Sequence, residues 1–264
     1  MPDVSVLLRT YNRRVWLQEA VESVLSQEGV DFELIITDAG DGGDGTPGYL
    51  LSLTDPRVKL RRAQPEDFGC VTIPEESSGK YICFLCDDDR LLPDSLRVRF
   101  DCLEQYPNRH MVFSSCENTD GEMMTMGRMS ETNLHTGATF GTQLVSCTMP
   151  IGTIMVYRPL AISAMRDVRA QNITDCGDWL LWLFCLCKIE GAAYLAQPTF
   201  QYRDHANSSS ARWGWGERGF AKTHSAVWRM FLDKGVQVTN PLAVSAFKEV
   251  AALLEIEVPA EVGV

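Results

Sequence analysis

The sequence contains no run of the roughly eighteen consecutive apolar residues that a membrane-spanning helix needs, and no basic N-terminal region followed by an apolar stretch. Neither a membrane span nor a secretion signal is therefore expected, and cytoplasmic residence follows as the default. Basic charge is also scarce: 24 Lys and Arg against 35 Asp and Glu leave a net charge of −11. Such a field disfavours a large nucleic-acid footprint or adhesion to an anionic membrane, although a modified nucleobase stays open as a small acceptor. A phosphate-bearing ligand on this chain needs a metal ion or a few placed basic groups to offset repulsion. The nine cysteines lack any disulfide-scaffold spacing, which fits reduced thiols. Cys83 and Cys86 form a CxxC, and Cys185 and Cys187 a CxC, all in apolar stretches. Packing is expected of both pairs, with a four-thiolate zinc site as the alternative. Internal repeats and true linkers are absent as well.

What is present is ample core material: 45% hydrophobic residues in a chain of 264, enough for one large α/β domain or one and a half small ones. Residues 3 to 9, DVSVLLR, read as a strand ending at the polar cluster Thr10, Tyr11, Asn12, Arg13. Leu17, Ala20, Val21, Val24 and Leu25 then recur at helical spacing, with Asn12 as a candidate cap. Phe32 to Ile36 reads as a second strand with Asp38 at its end and the glycine-rich turn AGDGGDGTPG beyond. A strand, helix, strand order implies a right-handed parallel unit, and in open parallel sheets ligands collect beyond the carboxyl ends of the strands. Val58 to Leu60 reads as a third strand followed by Arg61 and Arg62.

The segment KYICFLCDDDRLLPD, residues 80 to 94, carries the sharpest chemistry. An apolar strand, Tyr81 to Leu85, runs into three consecutive carboxylates, Asp87, Asp88 and Asp89. Unpaired burial of such charges is prohibitive, whereas a cluster of them offers hard oxygen ligands to magnesium or manganese. A solvated acidic turn is the plain alternative. Further on come a helix over 95 to 106, strands over 111 to 115 and 152 to 157, and a polar stretch, 117 to 150, in which Met126, Met129 and Met149 read as gap fillers or an apolar pocket lining. Asp175 and Asp178 precede a helix that is apolar nearly all round and so buried, where capping the N-terminus is the ordinary role for an acid. A short strand at 193 to 195, His205 in QYRDHANSSS, and two helical segments over 220 to 232 and 242 to 254 complete the chain, with Trp213, Trp215 and Trp228 among basic residues.

Taken together these segments resemble the family 2 glycosyltransferases of the GT-A fold, over residues 3 to 210. VSVLLRTYNR is similar to their opening VSVIIPTYNR, FELIITDAGDGGDGT to their strand ending in aspartate, SGKYICFLCDDDRLLPDSL to GEYIAFLDDDDxxxPDxL with its DxD motif, CGDWLLWLFCL to EDWDLWLRL, and QYRDHANSSS to YRxHxxSxS. The resemblance implies an α/β fold of the Rossmann-like GT-A type, with a mostly parallel central sheet and helices on both faces. It places a nucleotide-sugar-binding and catalytic domain at 1–210 and leaves 211–264 as a helical extension that covers the acceptor or forms a homodimer contact. It implies an inverting, manganese- or magnesium-dependent transfer of a sugar from a UDP- or dTDP-linked donor to an acceptor hydroxyl. By the same match Asp88, Asp89 and His205 hold the metal; Thr10, Tyr11, Arg13, Asp38 and Asp87 bind the nucleotide sugar; and Asp178 is the general base, with Asp175 as its substitute. Three departures stand out. Cys86 replaces the first aspartate of DxD, Gly177 replaces the glutamate of the ED pair, and GCVTIPEESSG lacks the arginine and asparagine of ARNxGxxxAxG, for which Arg61 or Arg62 is the candidate replacement and exposed surface arginines the plainer reading. Two rivals are a nucleotidyltransferase, against which TYNRR lacks the glycine-rich triphosphate loop, and a catalytically inactive sugar-nucleotide-binding protein.

Overall fold

The computed structural model describes residues 1–67, 69–128, 150–170, 177–206 and 208, and beyond them 227–229, 232, 244–245, 248, 251–252 and 257. At its centre is strand β1 (Val4–Thr10), with β2 (Phe32–Asp38) and β4 (Tyr81–Cys86) parallel on either side, and β3 (Val58–Arg62) parallel outside β2. Registers pair Thr10 with Asp38, Arg9 with Cys86, and Asp38 with Arg62, so the four carboxyl ends form one rim. The other half is mixed. β8 (Ile154–Tyr157) lies antiparallel between β4 and β6 (Met111–Thr119), and β9 (Ala193–Arg203) runs parallel to β6. Two short strands finish it: β5 (Arg90–Leu91) antiparallel to β9, and β7 (Thr125–Arg128) antiparallel to β6.

Alternation along the strands divides the apolar side chains between two cores, as a period of two requires. Val6, Leu8, Leu34, Ile36 and Leu85 face α1 (Arg14–Leu25), α2 (Thr46–Ser52) and α3 (Ser95–Gln105). Leu7, Ile35, Ile82 and Phe84 face α4 (Arg158–Arg169) and α5 (Gly177–Leu186). Helices thus cover both faces. In α5 every residue from Trp179 to Leu186 is buried, matching its all-round apolar sequence. Val227, Trp228 and Ala251 are buried in the same core as α5, so Trp228 packs against the domain. Among the described residues no helix is long and apolar enough to cross a membrane.

Some expectations need correction. Asn12 does not cap α1: its backbone is left-handed (φ 50°) and its amide donates to Asp41. The capping acceptor is Asp44 Oδ2, 2.8 Å from the Arg14 amide, reached from the glycine-rich turn. Cys187 is exposed because it lies just past the last residue of α5, while Cys185 is buried. Met126 is exposed on β7 and fills no core gap; Met129, Met149, Trp213 and Trp215 lie outside the described residues.

At the opposite end of the sheet a buried carboxylate ties three strands to the loop that precedes β4. Glu33 Oε1 accepts from Ser5 Oγ at 2.6 Å and from the Ser78 amide at 2.7 Å, and Lys59 pairs with Oε2. Ser5 in turn accepts from the Gly79 amide at 2.8 Å, an approach so close that a Cβ on Gly79 would meet the β1 backbone. Burial raises the Glu33 carboxyl, but the hydrogen bonds from Lys59, Ser5 and Ser78 outweigh it and hold the group at about 2. A folded pKa below the unfolded value contributes stability that is present above the ordinary glutamate range and lost as pH falls through the folded value. Glu33→Gln is therefore expected to lose roughly 1–3 kcal/mol at neutral pH. Its melting temperature should also fall less steeply than the parent's between about pH 4.5 and pH 2. Parallel melting curves for the two proteins across that window check both parts.

Candidate active site

The site grows from the rim where β1, β2 and β4 end. Three adjacent carboxylates follow β4 and are held from three directions. Asp87 turns to the β1–α1 loop: its Oδ2 accepts from Thr10 Oγ1 and the Tyr11 amide, both at 2.9 Å, and its Oδ1 from Arg13 Nη1 at 3.0 Å. Asp88 Oδ2 takes the same guanidinium at 2.7 Å and lies 3.1 Å from His205 Nε2. Asp89 Oδ1 accepts the Arg203 amide at 2.9 Å. The last two contacts come from β9 because β5 pairs antiparallel with it, Arg90 opposite Gln201, which carries the chain end beyond Arg203 back to the carboxylates.

Electrostatics follow from burial. All three aspartates are at most 9% exposed. Burial, then the neighbouring Asp88 charge, pushes the Asp87 carboxyl up, against the pull of Tyr11, Arg13 and Thr10. Asp89 is driven well up by the same two causes, offset in part by Arg203. One guanidinium, Arg13, pairs directly with two of the three carboxylates and a second, Arg203, lies near enough to offset part of the push on Asp89, so an added cation would relieve the remaining charge. The donor set suits one: Cys86 Sγ and an oxygen each of Asp88 and Asp89 lie within 4.8 Å of one another. Asp88 Oδ1 and Asp89 Oδ2 carry no hydrogen bond among the described residues.

Around the carboxylates sits a supporting layer that sequence reasoning missed. Arg203 is 3% exposed; its Nε donates to the Asp88 carbonyl at 2.8 Å, its Nη1 to the Gly121 carbonyl, and its Nη2 pairs with Glu19 of α1. Trp16, also on α1, packs its ring 5.1 Å from the Arg203 guanidinium and 4.4 Å from the His205 ring. The signal for Arg203 was available in the tyrosine, arginine, histidine pattern of residues 202, 203 and 205.

Other expected residues fall as follows. The Thr10 hydroxyl and the Tyr11 amide are engaged with Asp87, while the Tyr11 ring is 60% exposed. Asp38 is buried on the same rim; its Oδ1 accepts from the Gly40 amide at 2.9 Å and its Oδ2 pairs with Arg62. Of the two arginines expected at the surface or as replacement basic groups, Arg62 meets Asp38 on this rim, whereas Arg61 pairs with Asp67 and Glu76. Asp178 lies in the first turn of α5 and its Oδ1 accepts from the Trp179 amide at 2.8 Å; burial raises its carboxyl. Trp182, one turn along and on the same side of the helix, meets Phe84 of β4 edge to face at 5.7 Å. Asp175 lies outside the described residues. Cys83 is fully buried in β4, on the face opposite to Cys86, so the CxxC is not a paired site.

The family model for glycosyl transferase family 2 matches residues 5–163. An uncharacterized glycosyltransferase of Rickettsia conorii is 26% identical over 68% of this chain and 29% of its own length. TuaG of Bacillus subtilis, named as a teichuronic acid biosynthesis glycosyltransferase, is 27% identical over 80% of this chain and 83% of its own. The chain spans between 26% and 29% of the length of the first four curated relatives it matches. Among solved structures, S. aureus TarS in complex with UDP-GlcNAc superposes with a TM-score of 0.61 at 12% identity, covering 94% of this chain and 80% of that one. The mannosyltransferase PcManGT of Pyrobaculum calidifontis, in complex with GDP-Man and Mn2+, gives 0.60 at 15% identity over 96% and 74%. At such identities the likeness is one of fold.

Because the buried Arg203 guanidinium bonds the Asp88 and Gly121 carbonyls, pairs with Glu19 and offsets part of the upward push on Asp89, its removal leaves those acceptors unpaired and takes one cation from beside the cluster. Arg203→Gln is expected to cost about 3–5 kcal/mol of stability, the range for breaking a buried pair from one side. Chemical denaturation, compared with Arg97→Gln, whose pairs with Asp94 and Asp101 are exposed, as a control expected to change by less than about 1 kcal/mol, measures the difference.

Proposed function

We propose that this chain, which belongs to glycosyl transferase family 2, is an inverting, divalent-cation-dependent glycosyltransferase. It moves a sugar from a nucleoside diphosphate donor, UDP- or dTDP-linked, to an acceptor hydroxyl. The single observation that carries this reading is the buried excess of carboxylate over guanidinium at the mouth of the parallel strands, in register with Asp38. UDP-GlcNAc bound to TarS and GDP-Man with Mn2+ bound to PcManGT support a sugar nucleotide on this fold. The name of TuaG supports a saccharide acceptor.

In this reading Asp38 accepts from a ring N–H of the base, and Arg62 fixes the direction of that carboxylate. Asp88 and Asp89, with His205 alongside, hold the cation, which when bound neutralises the diphosphate of the donor. Asp87 does not leave its loop: by holding Thr10, Tyr11 and Arg13 it shapes the wall against which the nucleotide lies. Asp178 is the general base. As the acceptor oxygen bonds to the anomeric carbon, the bond from that carbon to the diphosphate oxygen breaks and its electron pair leaves with the nucleotide. The acceptor proton passes to the Asp178 carboxylate. A carboxyl raised by burial takes a proton more readily than an ordinary one. The segment 211–264 is read as an extension over this domain, consistent with the burial of Val227, Trp228 and Ala251.

Asp178→Asn is expected to lower kcat by roughly 10²–10⁴-fold with donor affinity unchanged; transfer at the parental rate would remove the base assignment. The pH profile of the parent adds a second reading. Its acid limb in kcat/KM should fall at a pH above the ordinary carboxylate range, because the Asp178 carboxyl is raised. Chelation with EDTA should stop turnover and an added divalent cation restore it, with a thermal-shift screen of sugar nucleotides naming the donor. Undiminished turnover in EDTA would count against the cluster's role.

A further inference from the structure

The cluster after β4 contains one donor that an all-oxygen site does not call for. Cys86 ends β4, in register with Arg9 of β1, and its Sγ lies with Asp88 and Asp89 oxygens inside a span of 4.8 Å. Beside them the His205 side chain is 7% exposed, with Nε2 3.1 Å from Asp88 Oδ2 and Nδ1 buried without a hydrogen-bond partner among the described residues. Cys83 cannot substitute for Cys86, since it is buried on the other face of the strand.

We propose that Cys86 supplies a thiolate ligand to the cation held by Asp88 and Asp89, and that this sulfur sets the metal preference of the site. The proposal rests on the metal reading of the cluster given above. Magnesium favours a complete set of hard oxygens in strict octahedral order and gains little from sulfur, while cobalt, zinc and to a lesser degree manganese accept it. An aspartate at position 86, as the family resemblance leads one to expect, gives the all-oxygen set. The thiolate shifts the order toward manganese and the softer ions and away from magnesium. Loading is balanced without redox change: the thiol gives its proton to solvent as the sulfur–metal bond forms, so uptake releases a proton.

The full chain, stripped of metal, is titrated with Co2+ while absorbance is read in the near ultraviolet, where thiolate-to-cobalt charge transfer falls, and in the visible, where cobalt alone absorbs. A near-ultraviolet band is expected in the parent and absent from Cys86→Ser, with the visible bands retained in both. A second variant, Cys86→Asp, is expected to move the ratio of Mn2+ to Mg2+ affinity about tenfold toward magnesium, the scale on which one residue alters metal binding. Visible bands with identical near-ultraviolet absorbance in parent and Cys86→Ser would overturn the thiolate ligand and leave the metal site standing. Absence of bound cobalt in both proteins, by equilibrium dialysis, would remove the metal reading and the ligand with it.

Discussion

Three adjacent carboxylates are taken out of water at the end of β4, and most of the architecture around the site answers to that charge. Isolated ions at such a depth are prohibitive, so each needs partners with good geometry. No neighbour in sequence provides enough of them. The counter-charge in direct contact comes from Arg13, more than seventy positions earlier, and Arg203, more than a hundred later, adds a backbone amide bond to Asp89 and a nearby positive charge. Bringing Arg203 there requires β9 to run the length of β6 and to pair with the two residues of β5. The Glu19 pair and the Trp16 ring then brace the same guanidinium from α1. The mixed half of the sheet is thus the structural means of delivering a cation and a histidine to the parallel half.

Much of this order was legible in the sequence, for reasons that differ by element. Strands β1, β2 and β4 and helix α5 are long or continuous enough for hydrophobic pattern to identify them, and their ends give Thr10, Asp38, the aspartates and Asp178 directly. Helix α2 was hidden inside a glycine-rich turn, because TPGYLLS carries a proline and a glycine. Yet proline in a first turn loses no hydrogen bond it would have made. Strand β9 was read as three residues because Pro198 interrupts its pattern; the structure accommodates that proline at a register shift opposite Ser115. Strand β5 is two residues long and has no local signal at all, since it exists only through its pairing with Gln201 and Phe200. The partners of Arg203 and Arg62 were hidden for the same reason: a motif or a strand end marks an arginine, but not which distant carboxylate, Glu19 or Asp38, it meets.

Net charge gives a misleading picture of the site unless burial is considered. A chain at −11 repels anions at long range, and salt screens that field within about ten ångströms. At the rim the balance is local: Arg13 and Arg62 each pair with an aspartate and the Arg203 guanidinium with Glu19, so the surface of the site combines acceptors with donors at fixed places. A sugar nucleotide, itself both a hydrogen-bond donor at its base and an anion at its diphosphate, requires that combination. Uniform positive charge would bind the diphosphate and leave the base unread.

The same physical cause, burial, raises the carboxyls of Asp87, Asp89 and Asp178, but its consequences diverge with the company each keeps. In the cluster the second cause is a neighbouring carboxylate, and a cation removes both the repulsion and the tendency to take up protons. Asp178 has no such neighbour among its causes; what lowers it is backbone amide hydrogen bonding at the start of α5, which falls short of the burial penalty. In the proposed reading, a cation held by Asp88 and Asp89 would therefore favour the ionised cluster, while burial keeps Asp178 prone to accept a proton. In the proposed transfer that division is what the chemistry needs: one set of carboxylates fixed as anions to hold charge, and one carboxylate free to change its charge once per turnover.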